Sequence, residues 1–179
     1  MQVKNLAVFC GSKSGNDPLF SAETMALGNY LAAHAITLVY GGGNKGLMGC
    51  IADAVMNGGG KVIGVIPEIL LEWEHAHQGI TDLRVVADMH TRKKLLYELC
   101  DAAVVLPGGN GTLDELFEML TWNTLKIHSK KIFLLNCNHY YDHLVAHMEN
   151  MYKEGFLYEA WRERLIVCNS TREIISFLN

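Results

Sequence analysis

The chain has 179 residues, half of them hydrophobic, a formal net charge of −4, and lysines and arginines scattered along its length. That size suits one domain with a substantial core, and the absence of a basic patch argues against a general nucleic-acid surface. No apolar run approaches the roughly 20 residues of a membrane span, since "KVIGVIPEILL" is short and broken by Pro67.

The opening "MQVKNLAVFCGS" reads as a first strand and lacks a small-residue cleavage site, which predicts a cytoplasmic protein. The loop "CGSKSG" follows, with Ser12 as a candidate ligand contact. Asp17-Pro18 supplies an N-cap and a proline at the first helical position, opening a helix over 18–34. A second strand, "ITLVYGGG", runs into "GGGNKG" (41–46) and a helix over 46–57. The string matches G-x-G-x-x-G between a strand and a helix, which invites a dinucleotide reading. Against it, the loop follows the second strand, and the third, "KVIGVIP", ends without the acid that would hold a ribose; Glu68 comes only after Pro67. A Walker A loop is excluded too, because Lys45 precedes Gly46 and no Ser or Thr follows in the required place. Close backbone approach to some ligand at Gly42 and Gly43 is the better reading, with a tight turn as the plain alternative.

"EWEHAHQG" has no clear helix or strand pattern and suits a loop over a site, where Glu74 is either a ligand contact or an ordinary exposed glutamate. The strand "LRVVADM" leads to a helix over 89–100 whose opening, "MHTRKK", sets Arg92, Lys93 and Lys94 in its first turns. Cations there oppose the helix dipole, which gives room for a functional reason beside the default of a solvated charged face. Arg92 suits a sugar hydroxyl, a phosphate, or a pairing that orients Glu115.

After the fifth strand, "AAVVLPGG", comes "PGGNGT" (107–112) and a helix over 111–126. Gly108, Gly109 and Gly111, with Asn110 between them, allow successive N–H groups to converge on an anion at a helix N-terminus, and the Thr112 hydroxyl can join them. The alternative is a sharp turn in which Thr112 is the N-cap and Glu115 closes a capping box, but that does not require the three glycines together. Along this helix Leu113, Leu116, Phe117, Leu120 and Thr124 form a stripe suited to packing on the sheet. Met119 and Trp122 fall off that stripe, and are expected either to form a dimer surface or to pack under a loop of the same chain.

The strands "KIFLLN" and "RLIVCN" and helices over 140–153 and 171–178 complete the alternation, the last helix opening with a Ser170/Glu173 capping-box spacing. His139, His143 and His147 fall on one helix stripe too long for one metal ion to span, so an exposed face is expected and no metal site is assigned. His75 and His77 are likewise too few for a metal site. Five cysteines without a C-x-x-C pair read as reduced core residues. Strands that are nearly continuous apolar runs, alternating with helices, predict an α/β fold: an open, doubly wound parallel sheet with helices on both faces, in one domain over 1–179. Ligands bind such sheets at the carboxyl ends of the strands, where the three polar glycine loops converge.

Together, "YGGGNKGLMG", "VIGVIP", "MHTRK" and "PGGNGTLDE" resemble the LONELY GUY (LOG) family of cytokinin riboside 5′-monophosphate phosphoribohydrolases, often labelled "possible lysine decarboxylase". The resemblance runs from the "CGS" loop through "KEGF" (153–156), with P-G-G-x-G-T-x-x-E and M-H-x-R-K both intact. It implies a Rossmann-like fold, no cofactor and no metal, a homodimer paired through the helix that carries "GTLDE", and hydrolysis of AMP or N6-modified AMP to free base and ribose 5-phosphate. It places catalysis on Arg92 and Glu115, the phosphate loop on Gly108, Gly109, Gly111 and Thr112, and further contacts on Lys93 and Glu74. Departure of the base would give the ribose oxocarbenium character, which a carboxylate stabilises; Asp114, on another side of the helix, is given no role. No lysine site for pyridoxal phosphate is recognisable, which leaves the decarboxylase label without support. The competing class is a non-catalytic nucleotide or molybdenum-cofactor carrier on the same fold, for which the Arg92 and Glu115 pair has no use.

Overall fold

The computed structural model describes residues 3–71 and 75–178. Its strands are β1 (Asn5–Phe9), β2 (Thr37–Tyr40), β3 (Val62–Pro67), β4 (Asp82–Val86), β5 (Ala102–Val105), β6 (Ile132–Leu135) and β7 (Leu165–Cys168). All pair in parallel in one sheet of order β4-β3-β2-β1-β5-β6-β7. The helices are α1 (Pro18–Ala33), α2 (Gly46–Asn57), α3 (Met89–Leu99), α4 (Asn110–Thr124), α5 (Asp142–Lys153) and α6 (Thr171–Leu178).

The apolar strand runs follow from burial on both faces. Leu6, Val8, Ala102, Val104, Phe133 and Leu135 join α1, α2 and α6 in one core layer. Their neighbours Ala7, Phe9, Ala103, Val105, Ile132 and Leu134 join α3, α4 and α5 in the other. Chain order reverses direction at β1, between β2 and β5, and this switch point opens the crevice expected to bind ligands. The connection from β3 to β4 carries only a 3₁₀ turn, Glu68–Leu70, among its described residues. Asp17 caps α1 through the Leu19 amide at 2.8 Å, and Ser170 accepts from the Glu173 amide at 3.3 Å, as their spacing predicts. All five cysteines are free, with Cys10, Cys100, Cys137 and Cys168 buried and Cys50 half-buried.

Two sequence expectations are corrected. The face of α4 that packs on the sheet carries Thr112, Leu116, Met119 and Asn123, so Met119 is fully buried and cannot be dimer surface. Trp122 packs edge-on against Tyr97, with ring centroids 5.1 Å apart, which is packing within the same chain. Phe117 faces outward instead. Polar residues on the buried stripe hid it: Asn123 satisfies its amide inside, donating to the Lys130 carbonyl at 2.9 Å and taking His128 at 2.8 Å. Second, α5 begins at Asp142, so His139 precedes the helix and pairs with Asp142 at 3.2 Å rather than continuing the stripe of His143 and His147.

Candidate active site

The loops after β1 and β5 are tied together where the switch point opens: the Gly11 amide donates to the Pro107 carbonyl at 3.0 Å. The loop after β2 joins them, since the Leu47 amide donates to the Gly11 carbonyl at 3.1 Å. Gly46, at φ +56, lets that approach happen; a Cβ there would sit 2.4 Å from the Lys13 nitrogen. Two cavities open on this junction, of about 210 and 320 Å³, and share Gly11, Ser12 and Gly109 as walls.

The smaller cavity brings the two proposed catalytic residues together. Arg92 and Glu115 both line it, with Gly109, Asn110, Gly111 and Thr112 along one side. α4 starts at Asn110 with Gly109 as its N-cap and no side chain capping it. Thr112 is therefore the third helical residue and not the cap, which removes the capping-box reading of Thr112 and Glu115. First-turn amides have no intrahelical acceptor, so this end of α4 offers N–H groups and positive potential to an anion. Thr112 and Glu115, three residues apart, share a helix face and look into the same space.

Arg92 is 5% exposed and held by strand ends: Nε donates to the Val65 carbonyl at 3.2 Å and Nη2 to the Gly41 carbonyl at 3.1 Å. A buried guanidinium is tolerated where such acceptors replace water. Asp88 caps α3, its carboxylate accepting from the Thr91 amide at 2.8 Å, and this hydrogen bond holds its pKa below the ordinary range. Glycine at position 41 leaves room for Arg92 in a way the sequence did not reveal, since a Cβ there would lie 2.2 Å from Arg92 Nη2 and displace the guanidinium.

Gly42 and Gly43, expected to contact a ligand, are not among the walls of either cavity and bond to the neighbouring segment. The Gly42 carbonyl accepts the His77 amide at 2.9 Å and Gly43 bridges to Ala76, so they hold the 75–77 segment against the site. That segment is anchored below by His77, whose Nε2 meets Asp53 at 3.0 Å while its Nδ1 accepts from the Gly79 amide at 3.1 Å. Glu74 lies outside the described residues.

Lys93 turns away from the cavity to α4, 3.0 Å from Glu118 and 3.1 Å from Asp114. Burial works against its charge, yet the hydrogen bonds to Glu118 and Asp114 hold its pKa above the ordinary lysine value. The Tyr97 hydroxyl donates to the same Glu118 at 2.9 Å, so a partly buried polar cluster ties α3, which carries Arg92, to α4, which carries Glu115. Asp114, given no role from sequence, lines the cavity beside Glu115. Ser12 lines both cavities, as its loop position led one to expect.

Residues 48–178 match the family model described as possible lysine decarboxylase. A cytokinin riboside 5′-monophosphate phosphoribohydrolase of Rhodococcoides fascians is 45% identical over 97% of this chain and 88% of its own length. One from Arabidopsis thaliana is 42% identical over 98% of this chain and 82% of its own. Among solved structures, a molybdenum cofactor binding protein from Rippkaea orientalis superposes with a TM-score of 0.73 at 20% identity, covering 99% of this chain and 96% of that one. At that identity the last similarity speaks to the fold alone.

Proposed function

From the premise that this chain belongs to the cytokinin riboside 5′-monophosphate phosphoribohydrolase family, we propose that it hydrolyses the N-glycosidic bond of AMP or an N6-modified AMP. The products are the free adenine-type base and ribose 5-phosphate. The observation that carries the reading is one cavity lined by the open N-terminus of α4, the Glu115 carboxylate one turn on, and Arg92 opposite them.

The 5′-phosphate sits on the amides of Gly109 to Thr112 and the Thr112 hydroxyl, where helix dipole and N–H groups favour an anion. Ser12, from the loop after β1, closes the same wall. Fixing the phosphate there holds the ribose beside Glu115, and remote binding energy goes into orienting the reacting carbon. As the bond to the base lengthens, the sugar becomes oxocarbenium-like, and the Glu115 carboxylate stabilises that charge and aligns or deprotonates the attacking water. Arg92, immobilised on two carbonyls, orients Glu115 or a ribose hydroxyl. Lys93 acts from behind, neutralising Asp114 so that a second carboxylate at the cavity wall does not repel the phosphate. Its ammonium, stabilised by two carboxylates, is poorly suited to the neutral amine that a Schiff base requires, which speaks against lysine decarboxylation.

The protein works on a small nucleotide, not a nucleic acid, consistent with its net charge of −4. Among the described residues no helix is long and apolar enough to cross a membrane, and we place the protein in the cytoplasm, where its free cysteines stay reduced. It pairs with a second copy through the outward face of α4: Phe117, Leu120, Thr121 and Thr124 meet Met151, Phe156 and Tyr158 in an apolar groove of about 290 Å³. Phe156 and Tyr158 are 79% and 96% exposed in the single chain. Incubation with a panel of nucleoside monophosphates, N6-substituted and unsubstituted, with chromatography for released base, tests the activity. Release from adenine nucleotides supports it; no base released from any of them rejects it.

A further inference from the structure

The carbonyls of Leu106, Pro107 and Gly108, consecutive in the loop after β5, each accept a hydrogen bond from outside the loop. Leu106 takes the Tyr141 hydroxyl at 2.8 Å, Pro107 the Gly11 amide at 3.0 Å, and Gly108 the Tyr140 hydroxyl at 2.7 Å. A peptide unit is planar and trans, so its C=O and N–H point in opposite directions. Holding the Gly108 carbonyl toward Tyr140, a wall of the larger cavity, therefore aims the Gly109 amide away from that ring, and Gly109 is also a wall of the smaller cavity, which Tyr140 does not line.

We propose that Tyr140, supported by Tyr141, is a positioning residue for the hydrolysis: its hydroxyl keeps the Gly108 carbonyl turned from the substrate phosphate and the Gly109 amide turned toward it. This rests on the reading that the phosphate binds at Gly109 to Thr112. Glycine at 108 and 109 gives that peptide unit freedom to rotate, and a rotated unit would present a carbonyl oxygen to the anion in place of a donor. The tyrosine hydroxyl supplies the restraint that the glycines lack.

The turn before α5 is built to deliver these hydroxyls. Asn138 and His139 both adopt left-handed backbone, at φ 48° and 58°, a conformation that asparagine and histidine enter more readily than most side chains. The buried Asn136 closes the turn, its Oδ1 accepting the Tyr141 amide at 2.6 Å and its Nδ2 donating to Asp142 at 2.7 Å. Edge-on contacts fix the Tyr140 ring, with Phe20 at 5.4 Å and Tyr141 at 4.7 Å between centroids. Burial pushes the Tyr141 phenol well above the ordinary range, so it remains a donor throughout the neutral pH range.

Tyr140→Phe removes the hydroxyl and keeps the ring. The expected result is a melting temperature close to wild type, with KM for AMP and the inhibition constant for ribose 5-phosphate each raised about tenfold, the equivalent of one hydrogen bond. Inhibition by adenine, which lacks the phosphate, should stay at the wild-type value. Tyr141→Phe should show the same split, and if its buried site makes it unfold, Tyr140→Phe decides alone. Unchanged affinity for ribose 5-phosphate in Tyr140→Phe overturns the proposal, as does an equal loss for adenine, which would mean general loosening. A wild-type protein that releases no base from AMP defeats the underlying reading instead, so the two failures are distinct.

Discussion

Gly41→Ala tests whether Arg92 must sit where the strand ends hold it. The backbone at Gly41 lies outside the left-handed region, so alanine introduces a Cβ without torsional strain. That Cβ would stand 2.2 Å from Arg92 Nη2 and 3.3 Å from its Cζ. The guanidinium must retreat by roughly 1 Å to reach ordinary van der Waals separation, and its 3.1 Å bond to the Gly41 carbonyl breaks in doing so. Losing one buried charge-assisted hydrogen bond costs about 2 kcal/mol, which lowers the melting temperature by roughly 4–8 °C in a domain of this size. The larger effect falls on catalysis, where a misplacement of about 1 Å lowers the rate by about 100-fold. Steady-state kinetics on AMP and thermal unfolding read both. Because the alanine acts through Arg92, adding Arg92→Ala should lower kcat little further than Arg92→Ala alone, a strongly non-additive cycle. A Gly41→Ala enzyme with wild-type kcat, or full additivity in the cycle, would refute the placement of Arg92 in the reaction.

Glu115→Gln should abolish base release while nucleotide binding, measured by calorimetry, persists; sustained turnover would remove the carboxylate from the mechanism. Asp88 has a depressed folded-state pKa, so its stabilisation of α3 is fully present above the unfolded value of about 3.9 and disappears as pH falls through the folded one. Wild type and Asp88→Ala should thus differ in melting temperature at pH 7, with the gap shrinking as pH falls below the unfolded value, and a gap independent of pH would contradict this. Sedimentation should give twice the 19.9 kDa of one chain, and Phe117→Glu with Tyr158→Glu should return it to the monomer. A dimer that withstands both changes places the interface elsewhere.

The sheet was legible because burial on both faces leaves a plain mark: "AAVV" and "IFLL" send alternate residues into opposite core layers, so no polar residue interrupts them. The glycine loop that lines the cavity at the start of α4 was legible because its glycines and the helix behind them are contiguous in sequence. What could not be read depends on partners distant in the chain. Lys93 resembles a ligand contact until Asp114 and Glu118 arrive on another helix. The buried face of α4 was obscured because Thr112 and Asn123 lie on it while Phe117 lies outside, and apolar periodicity ranks them the wrong way. Gly41 and Gly42 look alike in sequence, yet Gly42 takes left-handed backbone at φ +81 while Gly41 is crowded by Arg92, a distinction that needs Arg92 in place. The turn at Asn138 and His139 carries no glycine to announce its left-handed backbone, so His139 was read onto the stripe of His143 and His147 and the helix was begun at 140 instead of 142.

The central claim is that one loop holds a phosphate so that the carboxylate beside it can cleave the bond to the base. The direct test is kcat/KM for AMP and for adenosine, measured side by side from released adenine. The account predicts adenine and ribose 5-phosphate from AMP, with adenosine slower by about 100-fold or more for want of the phosphate's binding energy. Equal kcat/KM for the two substrates would contradict it.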